Sequence, residues 1–357
     1  MSRKIVNLRI PGPTTLYHNV RTIMGGPAFN HRGPQFEKLL TEVTAKLKKV
    51  FRTKSDILLL TASGTGGLEA AIVNTLSPKD KVIAVSIGTF GDRFSEIAAS
   101  YGANVIELKY PYGQTADPVD VKKLLVQNPD TKAVLLTHNE TSTGVTNDLQ
   151  KIAKIVKENS SAILLVDGVS SVGAIPLLTD KWGCDVVITA SQKGFGTPPG
   201  IAMISMNTAA WDAYKKSKMP KFYFDLGKAK KSFDSAQTPF TPATHQIDAL
   251  NTALDLMFRE TLPAITKRHV NATKKIRSAI RKMGLELFAS DKNASIVLTS
   301  VKTDRAAEIV KAMREKGVEV AGGYGELKGN TFRIGHLGYF TEKEIDETLK
   351  VLKSVLR

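Results

Sequence analysis

The chain has 357 residues, 42% of them apolar and 24% charged, with a single cysteine and a formal net charge of +16. That length suits two domains, or one large α/β domain with a smaller appendage. One cysteine excludes an intramolecular disulfide, and with six scattered histidines it makes no zinc framework, so no metal site is expected.

No apolar run approaches the ~20 residues of a membrane span. The amino-terminal Met1-Ser-Arg-Lys-Ile-Val lacks the apolar core of a leader peptide. A soluble, cytoplasmic protein with no membrane partner is therefore expected. The positive charge is spread along predicted helices, as at Lys46 to Lys49 and Lys274-Lys275, and the densest stretch, Lys215 to Lys231, matches no nucleic-acid module. Nucleic acid is not expected as a partner; a basic field that draws anionic ligands is the functional use of such a charge.

In chain order, the first 25 or so residues are rich in proline and glycine and read as an extended arm (1–25). Short apolar runs and helical patterns then alternate. Ile57 to Leu60 precedes a helix over Gly67 to Leu76; Lys81 to Val85 precedes one around Phe94 to Tyr101. Asn104 to Leu108 leads to a helix near Val119 to Gln127, and Ala133 to Leu136 to one over Leu149 to Glu158. Ile163 to Val166, Val186 to Ile188 and Ile201 to Ile204 complete the series. This rhythm predicts an α/β fold, a mostly parallel sheet with helices on both faces. Runs that are apolar throughout fit strands buried on both sides.

The rhythm breaks at Pro239-Phe-Thr-Pro242. Helical patterns follow over Gln246 to Phe258 and Pro263 to Met283. A small α/β unit comes last, with a strand at Ser295 to Val301, a helix at Asp304 to Lys316, strands near Val318 and Phe332, and a helix from Thr341 to Leu356. The expected division is a large domain over 26–259 and a small carboxy-terminal domain over 260–357.

Four strand ends supply phosphate donors, a stacking ring, an acid and a lysine, in that order, and another carries further polar side chains. Ser63-Gly64-Thr65-Gly66-Gly67 opens a helix, and such a turn cradles a phosphate with backbone N–H groups and hydroxyls. It lacks the Gly-Lys-Ser/Thr of a nucleotide loop and misplaces the third glycine of the dinucleotide fingerprint. Phe90 follows the next strand and can stack on a flat ring. His138-Asn-Glu-Thr-Ser-Thr-Gly144 ends another strand and faces the same crevice. Asp167 ends the Ile163 run, and Lys193 follows the run ending at Ala190. A lysine that can form a Schiff base, with an acid that keeps a pyridine nitrogen protonated, is what pyridoxal 5'-phosphate (PLP) chemistry requires.

From the arm to the last helix, the chain resembles the class V (fold type I) PLP-dependent aminotransferases, in the branch of alanine–glyoxylate and serine–pyruvate aminotransferases. The motifs are Pro11-Gly-Pro13, His31-Arg32-Gly-Pro34, Ser63 to Ala70, His138 to Val145, Asp167 to Gly173, Ser191 to Gly200 and Arg333-Ile-Gly335. The resemblance implies PLP as cofactor, Lys193 as Schiff-base lysine and proton shuttle, and Asp167 at the ring nitrogen. Val169 packs behind the ring and Phe90 stacks on it. Ser63, Gly64, Thr65 and Gln192 hold the phosphate, and Thr141 or Ser142, with Ser142 preferred, bonds the ring hydroxyl.

In the same resemblance Arg333 pairs with the substrate carboxylate, with Gly12 and Arg32 also on the substrate side. A homodimer with shared sites is implied, in which Thr241 and Arg32 reach the partner's site; some relatives have a tyrosine where this chain has Gln237. The expected reaction is ping-pong transamination from serine or alanine to glyoxylate or pyruvate. No second arginine can be assigned from the sequence to a side-chain carboxylate, which disfavours aspartate and glutamate. Aspartate, 3-hydroxykynurenine, phosphonate and ureidoglycine donors share the core motifs and stay open. A PLP desulfurase would need a mobile thiol, and Cys184 lies in a predicted buried strand. The non-enzymatic alternative is a basic nucleic-acid-binding scaffold.

Overall fold

The computed structural model describes residues 6–356. Residues 1–5, which hold most of the stretch read against a leader peptide and the start of the expected arm, lie outside the described residues, as does residue 357.

Seven strands form the larger sheet, in the order Ile57–Thr61, Ile201–Met206, Val186–Ala190, Ile163–Asp167, Ala133–Thr137, Lys81–Ser86, Asn104–Lys109. All are parallel except Ile201–Met206, which is antiparallel to both neighbours. Connections set this pattern. Helices such as Gly64–Thr75, Thr89–Ser100, Pro118–Gln127 and Leu149–Asn159 carry the chain back across the sheet, which parallel pairing needs. The link 191–200 has no helix and simply turns the chain around. Lys193 lies in that turn.

The central strands are buried along their whole length, which is why they read as unbroken apolar runs. Neighbouring side chains serve opposite faces: Leu164 joins Phe36, Leu40, Ile152 and Leu250 on one side, and Leu165 joins Leu68, Ile72, Ile188 and Ile204 on the other. The lysine-rich stretch expected as solvated surface contributes to two short helices, Thr208–Lys216 and Leu226–Phe233. Among the described residues no helix is long and apolar enough to cross a membrane.

A second sheet has the order Asn7–Arg9, Val318–Gly322, Thr331–Gly335, Leu298–Lys302, Glu286–Leu287. The helices Leu262–Lys282, Ala306–Glu315 and Glu342–Val355 cover it, burying Ile276, Ile280, Val301, Ile309, Met313, Phe332 and Leu352 together. The expected strand over Ser295 to Val301 begins later, at Leu298, because Ser295 donates its N–H to Gly144 O of the other unit.

The extended arm needs correction. Asn7–Arg9 pairs in parallel with Val318, Glu319 and Val320, and His18–Met24 is helical. The unpaired edge of Val318–Gly322 supplies hydrogen-bond groups that a free arm would otherwise leave to water. Asn7–Arg9 is thus an edge strand of the sheet formed by the carboxy-terminal part of the chain. Past Arg9 it crosses to the larger sheet, where Thr14 donates its N–H to Gln192 O at 3.1 Å and its hydroxyl to Lys193 O at 3.0 Å.

Candidate active site

The pocket at the carboxyl ends of the parallel strands is lined by Ser63, Gly64, Thr65, Leu68, Phe90, Arg93, Asn139, Thr141, Asp167, Val169, Ser170, Gln192 and Lys193. This edge is where open α/β sheets bind ligands, since each strand delivers its following loop to one crevice. A larger, mostly apolar cavity of about 320 Å³ lies between the 173–178 loop and Leu262–Thr266. Its polar side chains are Arg52 and Thr266 alone, so it brings no acid and amine together.

Ser63 caps the helix Gly64–Thr75, its hydroxyl accepting the Gly66 N–H at 3.4 Å. The first-turn N–H groups point out of the helix end with its partial positive charge, as an anion site needs. Gly64 is required by close approach: a Cβ there would stand 2.8 Å from a methyl of Val169. That contact sets Val169 as the floor between the glycine turn and Asp167.

Asp167 is buried, accepting the Val169 N–H at 2.9 Å and the Thr137 hydroxyl at 3.4 Å. Burial raises its carboxyl to about 6, against these hydrogen bonds and the charges of Lys193 and Arg93. A buried acid held this way is matched by a cation placed against it. Lys193 donates Nζ to Pro11 O at 2.9 Å. Its side chain keeps some exposed surface, but its dense surroundings lower the amine to about 8, with Asp167 pulling the other way and Arg333 adding to the lowering. Gln192 contributes a buried Oε1 that has no partner.

Phe90 stands at the start of Thr89–Ser100. Its ring is stacked on Tyr324, with centroids 5.8 Å apart and planes at 14°, and the Arg93 guanidinium lies 4.9 Å from its centroid. Glu140, fully buried, fixes this helix end: Oε2 accepts the N–H groups of Phe90 and Gly91 at 3.0 and 3.1 Å. Its Oε1 accepts the Ser142 N–H at 2.9 Å and the Ser142 hydroxyl at 2.7 Å. Burial raises the Glu140 carboxyl above its ordinary range.

Ser142 is therefore a correction. Its hydroxyl is spent on Glu140 and on the Thr89 N–H, which it accepts at 3.1 Å, and Thr141 lines the pocket instead. Adjacent residues in the tight turn between Asn139–Glu140 and Val145–Thr146 point to different sides, and the sequence motif does not say which faces the crevice.

Arg333 comes from the second sheet to the rim of the pocket, behind Thr141, and is not itself one of its lining residues. Its Nη1 donates to Thr141 O at 2.8 Å and its Nε to Gly322 O at 2.9 Å. Burial lowers its guanidinium to about 10. Gly12 packs on the Lys193 side chain. Arg32 and Thr241 line no part of this pocket: Arg32 donates Nη1 to Thr238 O at 2.6 Å and to Gln237 Oε1 at 3.2 Å, and Thr241 is exposed beside Tyr223 and Phe240. Leu68, Arg93 and Ser170 are lining residues that the sequence reading did not single out, whereas Asn139 and Thr141 come from the 138–144 stretch expected to face this crevice. Arg93 carried one usable signal, its place one helical turn after Phe90 on the same face.

These residues fit the phosphate, ring and ring-nitrogen partners of PLP: a helix end with two hydroxyls, a ring-sized gap between Val169 and Phe90, and a buried acid in the same pocket as a lysine.

Comparison with known proteins agrees with the geometry. The family model described as aminotransferase class-V matches residues 15–347. The chain is 41% identical over 98% of its length to the soluble hydrogenase small subunit of Synechococcus sp. (strain PCC 6716), covering 92% of that protein. It is 33% identical to the L-aspartate–glyoxylate aminotransferase of Paracoccus denitrificans, over 93% of this chain and 86% of that one. The solved structure of alanine–glyoxylate aminotransferase from Nostoc sp. superposes with a TM-score of 0.95 at 28% identity, over 100% of this chain and 97% of the other. With a fold of the type I class and a family model spanning nearly all of it, the chain belongs to the class-V aminotransferases.

Proposed function

We propose that this aminotransferase holds PLP in the Lys193 pocket and moves an amino group from a small amino acid, alanine or serine, to glyoxylate or pyruvate by a ping-pong route. The observation that carries the reading is the convergence of Lys193, Asp167 and the Ser63 helix end in one pocket, with Arg333 arriving from the second sheet beside Thr141. When bound, PLP supplies the electron sink for breaking a bond at the substrate α-carbon.

The chain's own residues supply the rest. Ser63, Gly64, Thr65 and Gln192 would hold the phosphate, Asp167 the ring nitrogen, and Thr141 the ring hydroxyl. Val169 and Phe90 would bracket the ring. The Lys193 amine at about 8 leaves roughly a tenth of it neutral at pH 7, so Nζ is able to take and return the α-proton as general base and acid. The planar fork of Arg333 suits the α-carboxylate.

The hydrogenase name of one relative does not transfer to this chain. Its single cysteine, Cys184, is buried, and burial pushes the thiol up to about 12; iron–sulfur ligation calls for several thiolates. The same burial argues against a desulfurase nucleophile.

A homodimer belongs to the proposal. Phe222 and Tyr223, 70% and 43% exposed, cluster with Phe240 beside Thr241 and the Arg32–Thr238 contact, the segments expected to reach a partner. A cytoplasmic location and a unit boundary near Glu260 complete it.

The test is the absorbance spectrum of the protein incubated with PLP. A near-visible band bleached by borohydride, lost in Lys193→Ala and shifted by alanine or serine, supports the reading. Wild-type transaminase activity in Lys193→Ala overturns it.

A further inference from the structure

Arg93 is a cation in the pocket that pairs with no acid among the described residues. Its guanidinium lies over Phe90, and its side-chain hydrogen bond among the described residues goes to a phenol oxygen: Nη2 donates to the Tyr324 hydroxyl at 3.1 Å. The acids nearby are committed elsewhere. Asp92 accepts from the Ser86 hydroxyl at 2.9 Å and the Tyr112 hydroxyl at 3.1 Å, and pairs with Lys109 at 3.5 Å. Glu140 receives four donors from Phe90, Gly91 and Ser142. Asp167 is held by Val169 and Thr137. Arg93 lines the same pocket as Lys193 and Asp167, and its charge lowers both groups.

Tyr324 comes from the other sheet, in the connection between Val318–Gly322 and Thr331–Gly335. Its ring stacks on Phe90, and the Arg333 guanidinium lies 5.9 Å from its centroid. One phenol ring thus has two guanidinium groups about it, Arg333 and Arg93. Two like charges converging on a pocket repel, and an anion bridging them relieves that repulsion. Arginine's fork also favours a carboxylate over a phenol oxygen.

We propose that Arg93 and the Tyr324 hydroxyl form a second carboxylate subsite, which reads the distal carboxylate of a short amino dicarboxylate of the aspartate type while Arg333 takes the α-carboxylate. The inference rests on the amine-transfer reading of Lys193 and Arg333 and widens its donor range from alanine and serine to dicarboxylates. Tyr324 donates its hydroxyl to the incoming carboxylate once Arg93 turns from the phenol to the acid, so both donors face one anion.

The experiment uses the PLP-loaded enzyme and single-turnover rates with aspartate and alanine, for wild type, Arg93→Gln and Tyr324→Phe. The expected result is wild-type reaction with aspartate, and an aspartate-to-alanine ratio of kcat/KM that falls about 100-fold in Arg93→Gln and about 5-fold in Tyr324→Phe. Succinate, an unreactive dicarboxylate, should inhibit wild type at least 10-fold more tightly than propionate does, with the difference lost in Arg93→Gln. Should Arg93→Gln not fold, Tyr324→Phe and the succinate comparison decide. An unchanged ratio in both variants overturns the subsite, as does wild type that turns over alanine but not aspartate. Loss of PLP from Arg93→Gln with equal falls for both donors assigns Arg93 to the phosphate instead and also overturns it. Wild type that binds PLP yet reacts with neither donor brings down the amine-transfer reading and the subsite with it.

Discussion

Gly12 packs so closely on Lys193 that a Cβ built there would stand 2.7 Å from the lysine Nζ and 2.8 Å from its Cδ. Its φ of +142° is a backbone conformation that side chains with a Cβ rarely adopt. The segment after the amino-terminal edge strand therefore acts as a wall of the site: Pro11 O holds the amine, and Gly12 leaves room for it.

Gly12→Ala should cost about 1–3 kcal/mol of stability from backbone strain and displace the amine from Pro11 O. The expected outcome is at least a tenfold loss of kcat with the chain still folded, read from single-turnover rates and circular dichroism. Wild-type rates in this variant would mean that the wall does not position Lys193.

Asp167 and Lys193 make opposite contributions to stability in the cofactor-free protein. Burial raises Asp167 from 3.8 to about 6, so the folded state binds more protons than the unfolded state between those values. Stability from this group is complete below about pH 4 and is lost as pH rises through about 6. Lys193, lowered from 10.5 to about 8, contributes stability that is present above pH 10.5 and lost as pH falls through about 8. Between about 6 and 8 both charges are buried at a cost. Asp167→Asn should therefore stabilise the cofactor-free protein at pH 7 by about 1–3 kcal/mol, leave it unchanged at pH 4, and abolish turnover. Urea midpoints at the two pH values check this; destabilisation at pH 7 would contradict it.

Arg333→Lys keeps the charge but not the fork. The guanidinium spends Nε on Gly322 O and Nη1 on Thr141 O, and a lysine cannot hold both and still present paired donors. We expect kcat/KM to fall about 100-fold, roughly 3 kcal/mol of transition-state binding, mostly through KM. An unchanged KM would remove Arg333 from substrate binding.

Glu140→Gln should be destabilising even though it removes a buried charge. The carboxylate accepts from two groups at each oxygen, and an amide turns a donor toward one of those pairs. The loss should be about 2–3 kcal/mol, visible as a lower urea midpoint. Because Phe90 loses its anchor, PLP retention should fall as well; a variant as stable as wild type would show the network to be dispensable.

Phe240→Asp tests the expected assembly. Placing a charge among Phe222, Tyr223 and Phe240 should convert a dimer to monomers in light scattering and lower PLP affinity. A wild-type chain that is monomeric at micromolar concentration would end the shared-site proposal.

The strand positions along the chain, their alternation with helices and the placement of Asp167 and Lys193 at strand ends were legible in the chain because each depends on local patterning. A buried parallel strand must be apolar throughout, and a strand end is the one place on it where a polar side chain reaches the crevice. The Ser63 turn was legible for the same reason, as a glycine-rich turn that follows a strand and opens a helix; that Ser63 caps this helix came from the structure. What depends on direction or on distant partners was not. Ser142 and Thr141 are neighbours with equal credentials, and only the packing of Glu140 under Phe90 turns one inward and the other toward the pocket. Asn7–Arg9 becomes a strand because Val318–Gly322 offers an open edge more than 300 residues later. Arg93 enters the site because Tyr324, delivered by a different sheet, closes over Phe90. Local sequence sets which groups a strand end can offer; which of them face one another is settled by burial and hydrogen-bond satisfaction between segments that never meet along the chain.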